Sequence, residues 1–343
     1  MSSQSLCFLF VGYLEGGGAQ YLHGLTAELG RLGHRVEFLA IDNPNPNPVY
    51  GVLRCTPWQF GRVGRSILER QLFSTIRRAG VDVVLVYSPN RFIRASTLAK
   101  LRKRGVTSVL WEDDLALREG FQVEAAAEFD LIVVTDSYAV PFLENVLGHP
   151  HVHVLQGCAM PGAYPVQNLT AEQREEFGAE VSFIGKYFPH RERFFQSLAR
   201  PVRIWGPDWQ EESALPDRAD IVSLDPKDKS LVYAASKINL HLRAGHQQVN
   251  GFSSRIYEVP LCGGFILAEA TQDLVDCFDV DREIAVFRTA EEARGKIEFF
   301  LGNEDARTQM SDRLRARILK DYTLEKTVAR FQNLLIPIVR RSS

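Results

Sequence analysis

The chain has 343 residues, 45% apolar and 24% charged, the length of about two ordinary domains. That composition excludes disorder, collagen-like repeats and a single mini-domain, and a chain this long buries about three quarters of its unfolded surface with no need of a disulfide or metal staple. With 40 Lys and Arg against 42 Asp and Glu, the net charge of -2 supplies no field toward nucleic acid or anionic lipid, so neither is expected as a partner.

The N-terminus enters the apolar run Leu6 to Val11 without a basic region or a cleavage site, and no run approaches the length of a transmembrane segment. Cys7, Cys55, Cys158, Cys262 and Cys277 are odd in number and widely spaced, with no C-x-x-C pair. They read as reduced thiols in a cytoplasmic protein.

Short apolar runs then alternate with helical patterns: Leu6 to Val11, Val36 to Ile41, Val81 to Tyr87, Ser108 to Trp111, Leu131 to Thr135 and Val152 to Leu155. Continuous apolar runs of this length predict strands covered on both faces, as in a parallel sheet. Leu22, Leu25, Leu29 and Leu32 make residues 18–32 an amphipathic crossover helix. Pro44, Pro46 and Pro48 forbid regular structure, which predicts a long surface loop over residues 42 to about 65.

The pattern breaks between Gln156 and Gln173, and a second series follows. Its predicted strands are Val181 to Ile184, Val202 to Trp205, Ile238 to Leu242, Gly264 to Leu267 and Ile284 to Phe287. Helices are predicted at His190 to Leu198, Ser253 to Leu261 and Glu291 to Leu301, with two more closing the chain over residues 304–340. The expected fold class is therefore α/β, two Rossmann-like doubly wound domains facing across a cleft. Residues 1–160 form the first domain, 175–320 the second, and 321–343 a C-terminal helix packing back towards the first.

Ligands of such sheets bind beyond the carboxyl ends of the strands, which singles out four places. The first is the turn containing Gly16, Gly17 and Gly18, where backbone amides can approach a phosphate; it has neither the dinucleotide spacing nor a P-loop lysine, and a plain tight turn fits equally. The second is Glu112-Asp113-Asp114. Asp113 or Asp114 can serve as a general base if neighbouring charge raises its pKa, or can cap the next helix. A metal reading of the triplet is weak.

The third place is Gly185-Lys186 to Arg191, where Lys186 and Arg191 bring cations to a sheet mouth or form a solvated rim. The fourth takes in Lys237 to Arg243, then runs from Asn250 through Arg255 and Glu258 to Gly263 and Gly264. Arg255 and Glu258 share a helix face, either as an ion pair or with Glu258 accepting from both hydroxyls of a ribose. Trp205, Gly206 and Trp209 follow a strand end, where the rings can stack on a ligand or pack the loop. The alternating His149, His151 and His153 lack a carboxylate and are better read as part of a connector than as metal ligands.

Phe183 to Arg193, Val202 to Trp209, Ser236 to Leu240, Gly251 to Glu258 and Cys262 to Leu267 stand in the order and spacing of the CgeB-like, spore-maturation-protein-like glycosyltransferases. The chain resembles that family over about residues 180 to 325, and in its first half only through the Rossmann-like pattern and the glycine turn. The resemblance implies the GT-B fold, a nucleotide-sugar donor (UDP favoured) held by the C-terminal domain, and an unidentified acceptor. It implies hexosyl transfer with no cofactor and no metal, the diphosphate charge being met by Lys186, Arg191 and Arg255. It makes Glu258 the ribose contact, Arg255 the arginine of an R-x-x-E pattern, and Gly263 and Gly264 the place where backbone nears the phosphates. Asn250 stands where many retaining relatives have a first glutamate, so the stereochemical class stays open; Asp321-Tyr-Thr323 replaces a usual His-Thr-Tyr block. A nucleotide-sugar epimerase of the same architecture and a non-catalytic nucleotide- or glycan-binding module are the alternatives.

Overall fold

The computed structural model describes residues 5–12, 19–40, 62–87, 93–112, 123–215, 219–222, 224, 226–245 and 248–339. The chain divides into two units, one formed by everything up to Gln156 together with the segment from Leu324 onward, the other by Gly157–Thr323.

The first unit carries strands β1 (Cys7–Gly12), β2 (Arg35–Ala40), β3 (Val83–Tyr87), β4 (Thr107–Glu112), β5 (Leu131–Val134) and β6 (Val152–Val154). All pair in parallel in the order β2-β1-β3-β4-β5-β6, and β1, β3, β4 and β5 are buried along their whole length, which is why β3 and β5 read as unbroken apolar runs, whereas β4 also buries Thr107, Ser108 and Glu112. Helices α1 (Ala19–Arg31), α2 (Arg62–Ala79), α3 (Ala95–Arg102) and α4 (Val123–Ala126) supply its crossovers. Leu22, Leu25 and Leu29 are the buried stripe of α1. Arg62 already opens α2, so the expected loop ends before residue 65; the rest of that loop lies outside the described residues.

The second unit carries β7 (Val181–Ile184), β8 (Val202–Trp205), β9 (Ala219–Val222), β10 (Ile238–His241), β11 (Ile266–Glu269) and β12 (Ala285–Phe287), again all parallel, in the order β12-β11-β10-β7-β8-β9. Its helices are α5 (Ala171–Phe177), α6 (Pro189–Leu198), α7 (Trp209–Glu212), α8 (Lys229–Ala235), α9 (Arg255–Leu261), α10 (Gln272–Cys277), α11 (Ala290–Gly302) and α12 (Glu304–Asp321). Thr170 and Gln173 start α5 as a reciprocal capping box, and Pro189 sits at the first position of α6, where its missing N–H costs nothing. Strand β9, an edge strand with only Ile221 and Val222 as large apolar residues, escapes a search for apolar runs.

Two hydrophobic clusters flank the second sheet, one centred on Phe183, Phe195 and Trp209, the other on Ile256, Tyr257 and Phe278. Buried Asn239 ties the layers: its Oδ1 accepts from Ser182 Oγ at 2.9 Å, and its Nδ2 donates to the carbonyls of Tyr233 and Phe265. The last helix, α13 (Leu324–Leu335), belongs to the first unit, where it packs on α1. It buries Leu324, Thr327, Val328, Phe331 and Leu335 at helical spacing, and the Phe331 ring lies 5.3 Å from that of Trp111.

Candidate functional site

In the second sheet the chain runs outward through β7, β8 and β9, then restarts on the other side of β7 with β10. Strand order reverses between β7 and β10, and a doubly wound sheet opens a ligand crevice beyond the carboxyl ends at such a point. Three segments reach that edge: Gly185 and Lys186 after β7, His241 to Arg243 at the end of β10, and the first turn of α9 with Arg255 and Glu258.

Glu258 is buried and held on both oxygens. Lys229 Nζ, from α8, is 2.5 Å from Oε2, to which the Tyr233 hydroxyl also donates at 3.1 Å; Ser254 Oγ donates to Oε1 at 2.6 Å. Burial alone would favour the protonated form, yet Lys229, the Ser254 hydroxyl and nearby Arg255 hold the carboxyl below its ordinary range. It is thus an anion at neutral pH, the form that accepts hydrogen bonds from a diol. The ion-pair partner of Glu258 is Lys229 rather than its helix neighbour Arg255. Burial and the Glu258 charge push the Tyr164 and Tyr233 hydroxyls up, and burial pushes the Cys262 thiol up to about 12.

Arg255 Nη1 donates to Ser253 Oγ at 3.1 Å, while its Nε is buried with no hydrogen-bond partner among the described residues. Ser253 also meets Nε2 of the buried His241 at 3.0 Å, and His241 Nδ1 has no partner among the described residues. Burial, with Arg255 and Arg191 beside it, drives the His241 imidazole well below its usual pKa, so it is neutral. Arg243 closes the edge through an ion pair with Glu269 at 3.0 Å.

Lys186 is exposed and pairs with Asp208 at 3.0 Å. Arg191, expected beside it as a free cation, is instead buried at 2% exposure, its Nη1 bonded to the Lys186 carbonyl and its Nη2 to that of Leu242, each at 2.8 Å. Burial lowers its pKa to about 9, and stacking over Phe183 and Phe188 completes its surroundings. The correction follows from its position: a side chain early in α6 points into the gap between β7 and β10 and is consumed there.

Trp205 is 1% exposed and packed under the Arg203 guanidinium, and Trp209 is fully buried with its indole N–H donating to the Gly185 carbonyl at 2.7 Å. Both rings pack the core, which corrects the stacking expected of Trp205. Gly206, at φ +148°, lets β8 turn against β7; a Cβ there would lie 2.1 Å from the Gly185 oxygen. Gly263 and Gly264 follow the C-terminal end of α9 and precede β11. A crossover helix runs back against its strands, so this pair sits at the amino edge, away from the crevice. Gly263 takes φ +88°, and a Cβ on Gly264 would lie 2.2 Å from the Tyr233 carbonyl oxygen, so packing is what requires glycine there.

Asn250 precedes α9, its carbonyl accepting from the Asp273 N–H at 3.0 Å. His149 binds the Phe129 carbonyl through Nε2, and among the described residues no group of three His, Cys, Asp or Glu is placed to hold a metal ion. Gly17, Gly18, Asp113 and Asp114 lie outside the described residues. Lys229, Tyr233 and Tyr164 are members of the cluster that sequence reading does not single out, while Ser254 and His241 stand in its fourth segment with no role given to them. Lys229 stands 29 residues from Glu258, and no local pattern joins them.

Residues 190–333 match the family model described as Glycosyl transferase-like. No curated protein sequence matches the chain. Among solved structures, sucrose-phosphate synthase from Thermosynechococcus elongatus superposes with a TM-score of 0.73 at 12% identity, covering 97% of this chain and 98% of that one. A glycosyltransferase from Rickettsia africae gives a TM-score of 0.71 at 12% identity, over 98% and 99%. Anabaena HepE in complex with UDP-glucose gives 0.65 at 12% identity, over 97% and 100%. The fold is thus α/β with two parallel sheets, matching GT-B glycosyltransferase structures.

Proposed function

We propose that this chain, with a glycosyl transferase-like segment set in a GT-B fold, moves a hexosyl group from a UDP-sugar to an acceptor and is CgeB-like. The carrying observation is Glu258, an ionised carboxylate at the carboxyl edge of the β7/β10 reversal and inside the matched segment. An anion there accepts from ribose hydroxyls, while Lys186 and Arg255 on the same edge answer the diphosphate charge without a metal. The UDP-glucose held by HepE favours uridine as the base. The first unit receives the acceptor, with Asp113 or Asp114 as general base if the reaction inverts and as acceptor contacts if it retains. Among the described residues no helix is long and apolar enough to cross a membrane, and a cytoplasmic setting suits a nucleotide-sugar donor.

The test is a thermal-shift screen against UDP, GDP, dTDP, CDP and ADP, with and without EDTA, since a ligand of the native state alone raises Tm. Stabilisation by UDP that ignores EDTA is expected. A flat response to all five would overturn the reading, and conversion of a donor to its isomer without acceptor would make the protein an epimerase.

A further inference from the structure

The Glu258 carboxylate has two unlike sides. Its Oε2 takes the hydroxyl of the nearly inaccessible Tyr233 and the half-buried Lys229 ammonium. Its Oε1 accepts from the hydroxyl of Ser254, an exposed residue. The ammonium is itself seated against the rings of Tyr164 and Tyr233, each with its centroid 5.6 Å away, where the ring faces attract a cation.

We infer that Lys229 is a positioning residue of the donor site: it is the fixed counter-charge on Oε2 of Glu258, while the Ser254 hydroxyl on Oε1 is the donor that a ribose hydroxyl replaces. The inference rests on the reading of Glu258 as the nucleotide contact. Exchanging one hydroxyl for another leaves charge and hydrogen-bond number unchanged. Expelling the ammonium would strip a buried carboxylate of its ion-pair partner, which is far more costly. Lys229 therefore stays, and its charge keeps Glu258 an acceptor.

The groups facing the carboxylate are Lys229 and Tyr233 from α8, Ser254, Arg255 and Cys262 from α9 and the turn after it, and Tyr164 from the connector before α5. Both tyrosines and the thiol are pushed up, so none of the three titrates across about pH 5 to 8. A pH response that appears there on loss of Lys229 would come from Glu258.

The experiment measures the Kd of the tightest-binding nucleotide among UDP, GDP, dTDP, CDP and ADP, across about pH 5 to 8, for the full chain and for Lys229→Met, Lys229→Arg and Ser254→Ala. Lys229→Met should bind at least about tenfold more weakly at neutral pH and recover as pH rises, because Glu258 then keeps its proton longer. Lys229→Arg should restore most of the affinity, and Ser254→Ala should stay within about threefold of the parent. A Lys229→Met protein that binds as tightly as the parent with a flat profile, or more tightly, would overturn the inference and make Lys229 an ion the ligand expels. If the parent chain binds none of the five nucleotides, the donor-site reading falls and the ribose exchange with it. The ligand-free proteins still decide the charge-holding role: the Tm gap between parent and Lys229→Met should widen as pH rises from about 4 to 7, and a constant gap would overturn it.

Discussion

Arg191 Nη2 donates to the carbonyl of Leu242 at 2.8 Å, so a side chain from α6 clasps the carboxyl end of β10; its Nη1 holds the Lys186 carbonyl beyond β7 at the same distance. The two strands that flank the crevice are thereby fixed to one planar group. Lysine cannot span both carbonyls. Arg191→Lys should cost about 1.5–3 kcal/mol, the loss of one hydrogen bond to a charged donor, read as a lower urea midpoint with an unchanged slope.

Gly206→Ala should destabilise the second unit by about 3 kcal/mol or prevent its folding, because the backbone conformation is a glycine one and the new Cβ would lie 2.1 Å from the Gly185 oxygen. Indole fluorescence from buried Trp205 and Trp209 reports on this region directly. Gly162→Ala, with nothing within 4 Å of its Cβ, is the control and should change stability by less than about 0.5 kcal/mol.

Glu258→Gln keeps shape and removes charge. It should weaken nucleotide binding at least about tenfold by calorimetry. It should also cost roughly 2–3 kcal/mol in the free protein, less than the about 3–5 of a fully buried pair because Lys229 retains 27% side-chain exposure. Undiminished nucleotide affinity would remove Glu258 from the site.

His241 carries a pH prediction. Its imidazole stays neutral in the native state, chiefly through burial, whereas the unfolded chain takes up a proton near the ordinary pKa of about 6.5. The unfolded state binds more protons below that pH, so this contribution is full above it and is lost as pH falls. His34, His149 and His153 are lowered too and act in the same direction. Urea midpoints should therefore decline on acidification below about pH 6.5, with His241→Gln reducing the slope by up to about 1.4 kcal/mol per pH unit.

In the first unit, Phe331 is fully buried on α13 against Trp111. Phe331→Ala should cost about 3–5 kcal/mol, measured by calorimetry, and should change the near-ultraviolet signal of Trp111.

The α/β class is legible in residues such as Phe8 to Val11 and Val83 to Val86, because a strand covered on both faces reads as a nearly continuous apolar run. The stripe of Leu22, Leu25 and Leu29 identified a crossover helix for the same reason of periodicity. The strand ends single out Lys186, Arg255 and Glu258 as candidates. These are local properties, carried by neighbours in the chain. Whether a given cation is free is not local. Arg191 and Lys186 stand five residues apart in one basic motif, yet one is buried against two carbonyls and the other exposed, because only the packed strands decide which carbonyls lack partners. The glycine pair at 263–264 reads like a phosphate turn until helix direction puts it at the opposite edge. Lys229 reaches Glu258 only because α8 and α9 pack together, and burial is what turns that separation of 29 residues into a charge pair.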